Sequence, residues 1–219
     1  MDLDLTTITG IVGKVIYVAL ALIALWGAFC VIMVWWRVRR TRFRSEEEQS
    51  EFLDKLDENL AGGDFEAATQ LCDGDDRAMP QLALLALSNR NFSYSKVRAL
   101  LADRFQRDVL SDLEYRLSWV YTVIKSAPMV GLLGTVVGMM GAFSQLGSLE
   151  KVDADSLATN ISLALVTTAC GLAIAIPLVL AAASINVRIR KLEDLVGSGL
   201  TRFLETFKVV SPKKSNPAE

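Results

Sequence analysis

The sequence predicts an all-α integral membrane protein: three transmembrane helices, with long helices extending into a cytoplasmic helical domain. Three observations predict it. Three apolar stretches reach membrane length, and the cores of the last two, Ala127–Phe143 and Ile161–Pro177, carry no charge at all. The chain is 52% hydrophobic with mean hydropathy +0.34, yet 22% of its residues are charged, so the charge is segregated from the apolar runs. Between the first and second runs, residues 45 to 117, a third of the chain, hold half of its charged residues and alternate them with apolar residues at helical spacing.

Residues 1–14 form a short acidic N-terminus, expected on the periplasmic side. It lacks the basic flank of a secretory signal, and no small-residue cleavage site follows the apolar run, so the first segment is expected to stay. Val15–Trp36 is uncharged over 22 residues, about 33 Å of helix, enough for a hydrocarbon core of about 30 Å. Trp35 and Trp36 suit the interface. Arg37, Arg39, Arg40, Arg42 and Arg44 follow at once, and short-loop basic charge marks the cytoplasmic side.

The cytoplasmic domain is expected over 37–120. Glu46-Glu47-Glu48 opens a helix burying Phe52, Leu53, Leu56 and Leu60, and Gly62-Gly63 stops it. Asp64 is placed to N-cap a second helix carrying Phe65, Ala68 and Leu71. Asp73-Gly74-Asp75-Asp76 resembles a calcium loop only superficially. It lacks the bidentate glutamate at the twelfth position and reads as a turn. Pro80 begins a short Leu/Ala helix to about Ser88, and Ser93 or Ser95 starts a long helix running without a breaker into the second span.

The second span is expected over 121–146, with Lys125 near its cytoplasmic end, where the side chain can snorkel. A periplasmic loop, 147–156, holds Glu150, Asp153 and Asp155 against Lys151. The third span covers 157–183. Arg188, Arg190 and Lys191 return the chain to the cytoplasm, where 184–219 is a helix to about Phe207 and a tail. Pro128 and Pro177 each lack an N–H, so local distortion of the helix is expected at both.

Residues three and four apart share a helix face. In the second span this collects Ala127, Gly131, Gly134/Thr135, Gly138 and Gly141/Ala142, including a GxxxG. In the third it collects Asn160, Ala164, Thr168, Gly171, Ala175 and Ala182. Small residues permit close backbone approach, and hydroxyls hydrogen-bond where there is no water. Both spans are therefore built to pack against helices. The plain alternative is that each threonine bonds only to a carbonyl one turn back on its own helix.

Composition excludes several functions. A net charge of −2 argues against nucleic acid as the main partner. There is no histidine, no carboxylate within a span, and no Ser or Cys with a base nearby, so an enzyme has no support. Cys30, Cys72 and Cys170 read as unpaired small hydrophobes; neither a metal site nor a cofactor is expected.

These two small-residue stretches resemble the ExbB/TolQ/MotA proton-channel family, especially its ExbB/TolQ branch. The pattern APxxGLxGTVxGM with a following aromatic stands here as Ala127 to Met139 and Phe143. The pattern I-x-x-ALxTTAxGLxxAIP stands from Ile161 to Pro177. Gly63-Asp64-Phe65-Glu66-Ala67-Ala68 is like a helical-hairpin stretch of the same branch.

The resemblance implies a homo-oligomeric ring, five copies expected, around the spans of an ExbD/TolR-like single-span partner. Ion flow between them would drive work on the periplasm or outer membrane. It implies that Thr135 and Thr168 are pore-facing hydroxyls. Thr167 beside Thr168 offers a further oxygen, which leaves Na⁺ open beside H⁺. One departure is clear: many relatives carry a glutamate three residues after the position of Asn160, and here that residue is Leu163. The competing class is a passive scaffold that holds a single-span partner and moves no ion.

Overall fold

The computed structural model describes residues 5–148 and 154–210, all of the regular structure there being helical. The elements are α1 (Leu5–Thr41), α2 (Glu46–Ala61), α3 (Phe65–Cys72), α4 (Ala78–Ser88), α5 (Tyr94–Arg104), a π-helical turn (Phe105–Leu110), α6 (Ser111–Ser148) and α7 (Ala154–Val210). Among the described residues three helices are long and apolar enough to cross a membrane. The first four residues, the centre of the expected external loop with Glu150, Lys151 and Asp153, and the tail from 211 lie outside the described residues.

The chain divides into two compact units. One contains α1 to Met33 together with 116–184 of α6 and α7. Each helix here buries one narrow stripe. In α1 it is Ile16, Leu20, Gly27 and Cys30; in α6, Val120, Val123, Ala127, Gly131, Gly134 and Ala142; in α7, Ala164, Thr167, Gly171, Ala175, Leu178 and Ala182. The remaining faces stay apolar and exposed, with Leu22, Leu25, Trp26 and Phe29 on α1 and Leu132, Leu133 and Val136 on α6. In water such faces would be ruinous, and in hydrocarbon they cost nothing. Pro128 and Pro177 both lie inside unbroken helices.

The other unit holds 34–115 and the helix from Ile185 onward. Ser45 caps α2 by accepting from the Glu48 amide at 3.3 Å, and the Glu48 carboxylate reaches back to the Arg44 amide at 2.9 Å. Phe52, Leu53, Leu56 and Leu60 are buried as expected. Gly63, at φ +76°, ends the helix, and Asp64 caps α3 through the Ala67 amide at 2.9 Å. In α3 the inward residues are Ala68 and Cys72; the expected Phe65 and Leu71 flank that line and are only half-buried, with the Arg90 guanidinium 4.9 Å over the Phe65 ring. Burial pushes the Cys72 thiol up to about 12, with Asp75 adding to the effect, so it stays protonated and inert.

Asp73–Asp76 forms a turn, with Gly74 at φ +76°. Its charge serves Arg77, which pairs with Asp75 at 2.5 Å and Glu48 at 2.7 Å and lies 3.8 Å over the Phe43 ring. Burial raises the Asp75 carboxyl, but hydrogen bonds and charge from Arg77 outweigh it and hold the group below its ordinary range. The α1–α2 elbow is thus clamped to the α3–α4 turn. Along α7, Gln49 donates to the Leu195 carbonyl at 2.5 Å, and Arg202 bridges Asp54 and Asp57. Arg188 lies 4.1 Å over the Trp35 ring.

Two expected boundaries shift. The Leu/Ala helix begins at Ala78, with Pro80 in its first turn, where a missing N–H is harmless. The long helix starts at Tyr94 with Ser93 at its N-cap and does continue to Ser148, but a π-turn interrupts its α geometry. Buried residues fall at Val97, Leu101 and Phe105, then Leu110, Leu113 and Leu117. The step of five between Phe105 and Leu110 is the π-turn. At α spacing, Asp108 or Val109 would point inward; instead Asp108 is exposed and pairs with Arg104 at 2.7 Å.

Candidate functional site

In the first unit α6 and α7 approach until their backbones touch. A Cβ on Gly131 would lie 2.7 Å from the Thr167 carbonyl oxygen, and one on Gly171 would lie 2.6 Å from the Ala127 carbonyl oxygen. The two contacts are reciprocal, each glycine resting on the other helix's carbonyl. Gly138 stands equally close to Ala164, its added Cβ meeting the alanine methyl at 2.6 Å, and Gly134 faces the Thr167 side chain. Ala164 and Ala175 are buried, and Gly141 is half-buried. This interface is possible only because both helices offer small residues in phase.

Into it project three hydroxyls and two carbonyls. Thr167 is 3% exposed, and its Oγ1 lies 2.7 Å from the Ala164 oxygen on its own helix and 2.9 Å from the Gly131 oxygen on α6. Thr168 Oγ1 donates across to the Gly131 oxygen at 3.1 Å. Thr135 Oγ1 lies 3.4 Å from the Gly131 oxygen on its own helix, but only 3.1 Å from the Ala164 oxygen on α7. The Thr135 and Thr168 hydroxyls are hydrogen-bonded to each other. Bonding one turn back on the same helix therefore does not account for them: the shorter carbonyl bond of Thr135 and the carbonyl bond of Thr168 both cross between helices.

Sequence spacing placed Thr168 in the packed stripe of α7. The structure puts Thr167 there and leaves Thr168 half-buried at its edge, beside half-buried Thr135. The reason is the helical period: 3.6 residues beyond Ala164 falls between the two threonines, and only the partner helix decides which turns inward. Tyr17 escaped the sequence reading altogether. Its phenol donates to the Leu163 carbonyl at 3.1 Å, one turn before Thr167, and a single tyrosine in an apolar run carries no signal of that. The Leu163 side chain itself is exposed.

The arginines belong to the other unit and differ in use. Arg37 pairs with Asp112 at 3.3 Å, Arg42 folds onto the Phe43 and Arg44 carbonyls, and Arg39 and Arg40 are exposed. Among the described residues no group of His, Cys, Asp and Glu is placed to hold a metal ion.

Residues 77–197, more than half of the chain, match the MotA/TolQ/ExbB proton channel family. An ExbB-like 2 biopolymer transport protein of Helicobacter pylori is 44% identical over 84 residues, 38% of this chain and 54% of that protein. The biopolymer transport protein ExbB of Helicobacter pylori is 43% identical over 101 residues, 46% of this chain and 68% of that protein. The Tol-Pal system protein TolQ of Haemophilus influenzae is 35% identical over 94 residues, 43% of this chain and 41% of that protein. The chain thus spans about half the length of the first of these relatives.

Proposed function

The chain belongs to the MotA/TolQ/ExbB proton channel family, and on that premise we propose that it is the three-span ring subunit of an ion-driven complex in the bacterial inner membrane. Five copies surround the spans of an ExbD/TolR-like partner, with the N-terminus periplasmic and the C-terminus cytoplasmic. Ion flow along the inner face of the ring is converted into work on the periplasm or outer membrane.

The observation that carries this reading is the hydroxyl pair of Thr135 and Thr168. It lies part-exposed at mid-span on the packed face of two helices. No Asp, Glu, Lys or Arg occurs from Ser126 to Ser144 on α6 or from Ser156 to Ser184 on α7. Threonine does not titrate near neutral pH, and a charge at mid-bilayer costs at least about 2.5–3.5 kcal/mol unsupported. The titrating carrier is therefore a carboxyl on the partner's span, which Thr135 and Thr168 meet while Thr167 holds the two helices together.

The family match supports H⁺ over Na⁺. The matched family is one of proton channels, and Thr167, the extra oxygen that left Na⁺ open, is engaged with the Ala164 and Gly131 carbonyls rather than turned to the exposed side.

The test is reconstitution in liposomes. The chain alone should conduct essentially nothing, and the chain with a single-span partner should conduct protons. Thr135→Val or Thr168→Val should cut that flux roughly 2- to 13-fold, the weight of one net hydrogen bond of about 0.5–1.5 kcal/mol, without dissolving the complex. Robust flux through the chain alone, or full flux in the double valine variant, overturns the reading in favour of a passive scaffold.

A further inference from the structure

The protons of the hydroxyl cluster can be counted. Thr135, Thr167 and Thr168 bring one each, and every one has an acceptor inside the cluster. The Gly131 and Ala164 oxygens each have two lone pairs, of which the helix amide four residues on takes one. The other two lone pairs accept two hydroxyl protons. The third proton lies within the Thr135–Thr168 pair itself. All three donors are then spent, and mid-span backbone N–H groups are committed to their helices. What the half-buried pair still offers is oxygen lone pairs alone.

Nothing else nearby restores a donor by ionising. On the described elements of this unit the titratable side chains are Lys14, Tyr17 and Cys30 on α1, Arg116, Tyr121 and Lys125 at the other end of α6, and Asp155 and Cys170 on α7. None of them is hydrogen-bonded to the hydroxyl cluster.

We infer that the Thr135–Thr168 pair is an acceptor site selective for a hydrogen-bond donor on the facing span: a carboxylic acid carrying its proton, and not a carboxylate. The inference rests on the proposed ion pathway for who supplies the acid, but not for the polarity of the pair. Its consequence is an order of events. The acid gains its proton before it docks on the pair, and losing the proton turns the contact from attraction into lone pair against lone pair, which releases it.

Synthetic single-span Leu/Ala peptides differing only at their central residue test the polarity directly. The central residue is asparagine, protonated aspartic acid at pH 5, methionine sulfoxide or leucine. Methionine sulfoxide is the decisive probe, since it is neutral, a strong acceptor, and has no donor. Binding to the full chain in nanodiscs is read by fluorescence energy transfer. The asparagine and protonated aspartic acid peptides should bind roughly 3- to 20-fold more tightly than the leucine peptide, the range of interhelical hydrogen bonds in membranes. The sulfoxide peptide should match leucine. Thr135→Val with Thr168→Val should erase the preference, and Thr135→Ser, which keeps the hydroxyl and the fold, should retain it. Sulfoxide binding as tight as asparagine, or no preference among the four peptides, overturns the inference. The pathway itself stands or falls separately, on the flux of the valine variants with a partner.

Discussion

Gly131 and Gly197 are both glycines in the interior of a long helix, and their surroundings give them opposite roles. A methyl on Gly131 meets a backbone carbonyl at 2.7 Å, which cannot move without displacing all of α7; a methyl on Gly197 meets nothing within 4 Å. Gly131→Ala should therefore destabilise the folded protein by about 1–3 kcal/mol, as overpacking does. Gly197→Ala should stabilise it by about 0.5–1 kcal/mol, the helix-propensity difference alone. Thermal unfolding of the two variants in the same detergent checks the ordering, and equal melting shifts would remove the claim that backbone contact defines the α6–α7 interface. The same reasoning separates the threonines. Thr167 is sealed between two carbonyls and holds helices, whereas Thr135 and Thr168 are the hydroxyls that something outside can reach.

At the scale of an element, the π-turn Phe105–Leu110 shows a local irregularity serving burial. It holds one residue more than an α-turn would need, and the extra residue carries Leu110 inward while Asp108 stays at the surface. Deleting Val109 should let the turn relax to α-helix with Leu110 now four residues after Phe105, so the same apolar set stays buried and stability is retained. Inserting an alanine after Arg107 should instead turn Leu110 outward and cost about 2 kcal/mol or more, the burial of one leucine. Denaturant unfolding of the pair decides it: if deletion and insertion are equally damaging, the turn is not a register device.

At the scale of the whole molecule, the proposed orientation rests on basic charge beside the spans. Arg37, Arg39, Arg40, Arg42 and Arg44 all follow the first apolar run, and Arg188, Arg190 and Lys191 follow the last. Neutralising the five arginines should weaken the insertion bias, so that a reporter fused to the N-terminus is no longer wholly periplasmic. A reporter that remained wholly periplasmic would show that the second basic group, or the span itself, sets topology. Since Arg37 also pairs with Asp112 and Arg42 holds the elbow backbone, the variant should lose some stability as well. An Arg37→Gln single variant, which keeps four of the five charges, separates the two effects.

The apolar runs, their order and the Asp64 cap were legible in the sequence, because each depends on neighbours within about one turn. An uncharged run needs only its own length to cross a bilayer, Asp64 caps from within its own turn, and Gly63 takes a positive φ that its lack of a Cβ permits. The Ser45 cap was equally local but went unread, and the start of the Leu/Ala helix was placed two residues late, at Pro80 instead of Ala78. Much of the packed face was legible too, since glycine and alanine at three- and four-residue spacing leave few other uses in a membrane. What tertiary structure alone decided is azimuth and hydrogen-bond direction. Whether Thr167 or Thr168 turns inward is a matter of less than one residue of rotation, below what a 3.6-residue period can resolve. Which oxygen each hydroxyl reaches, and so which lone pairs remain for a partner, follows from the distance between two helices, and no residue spacing encodes that distance.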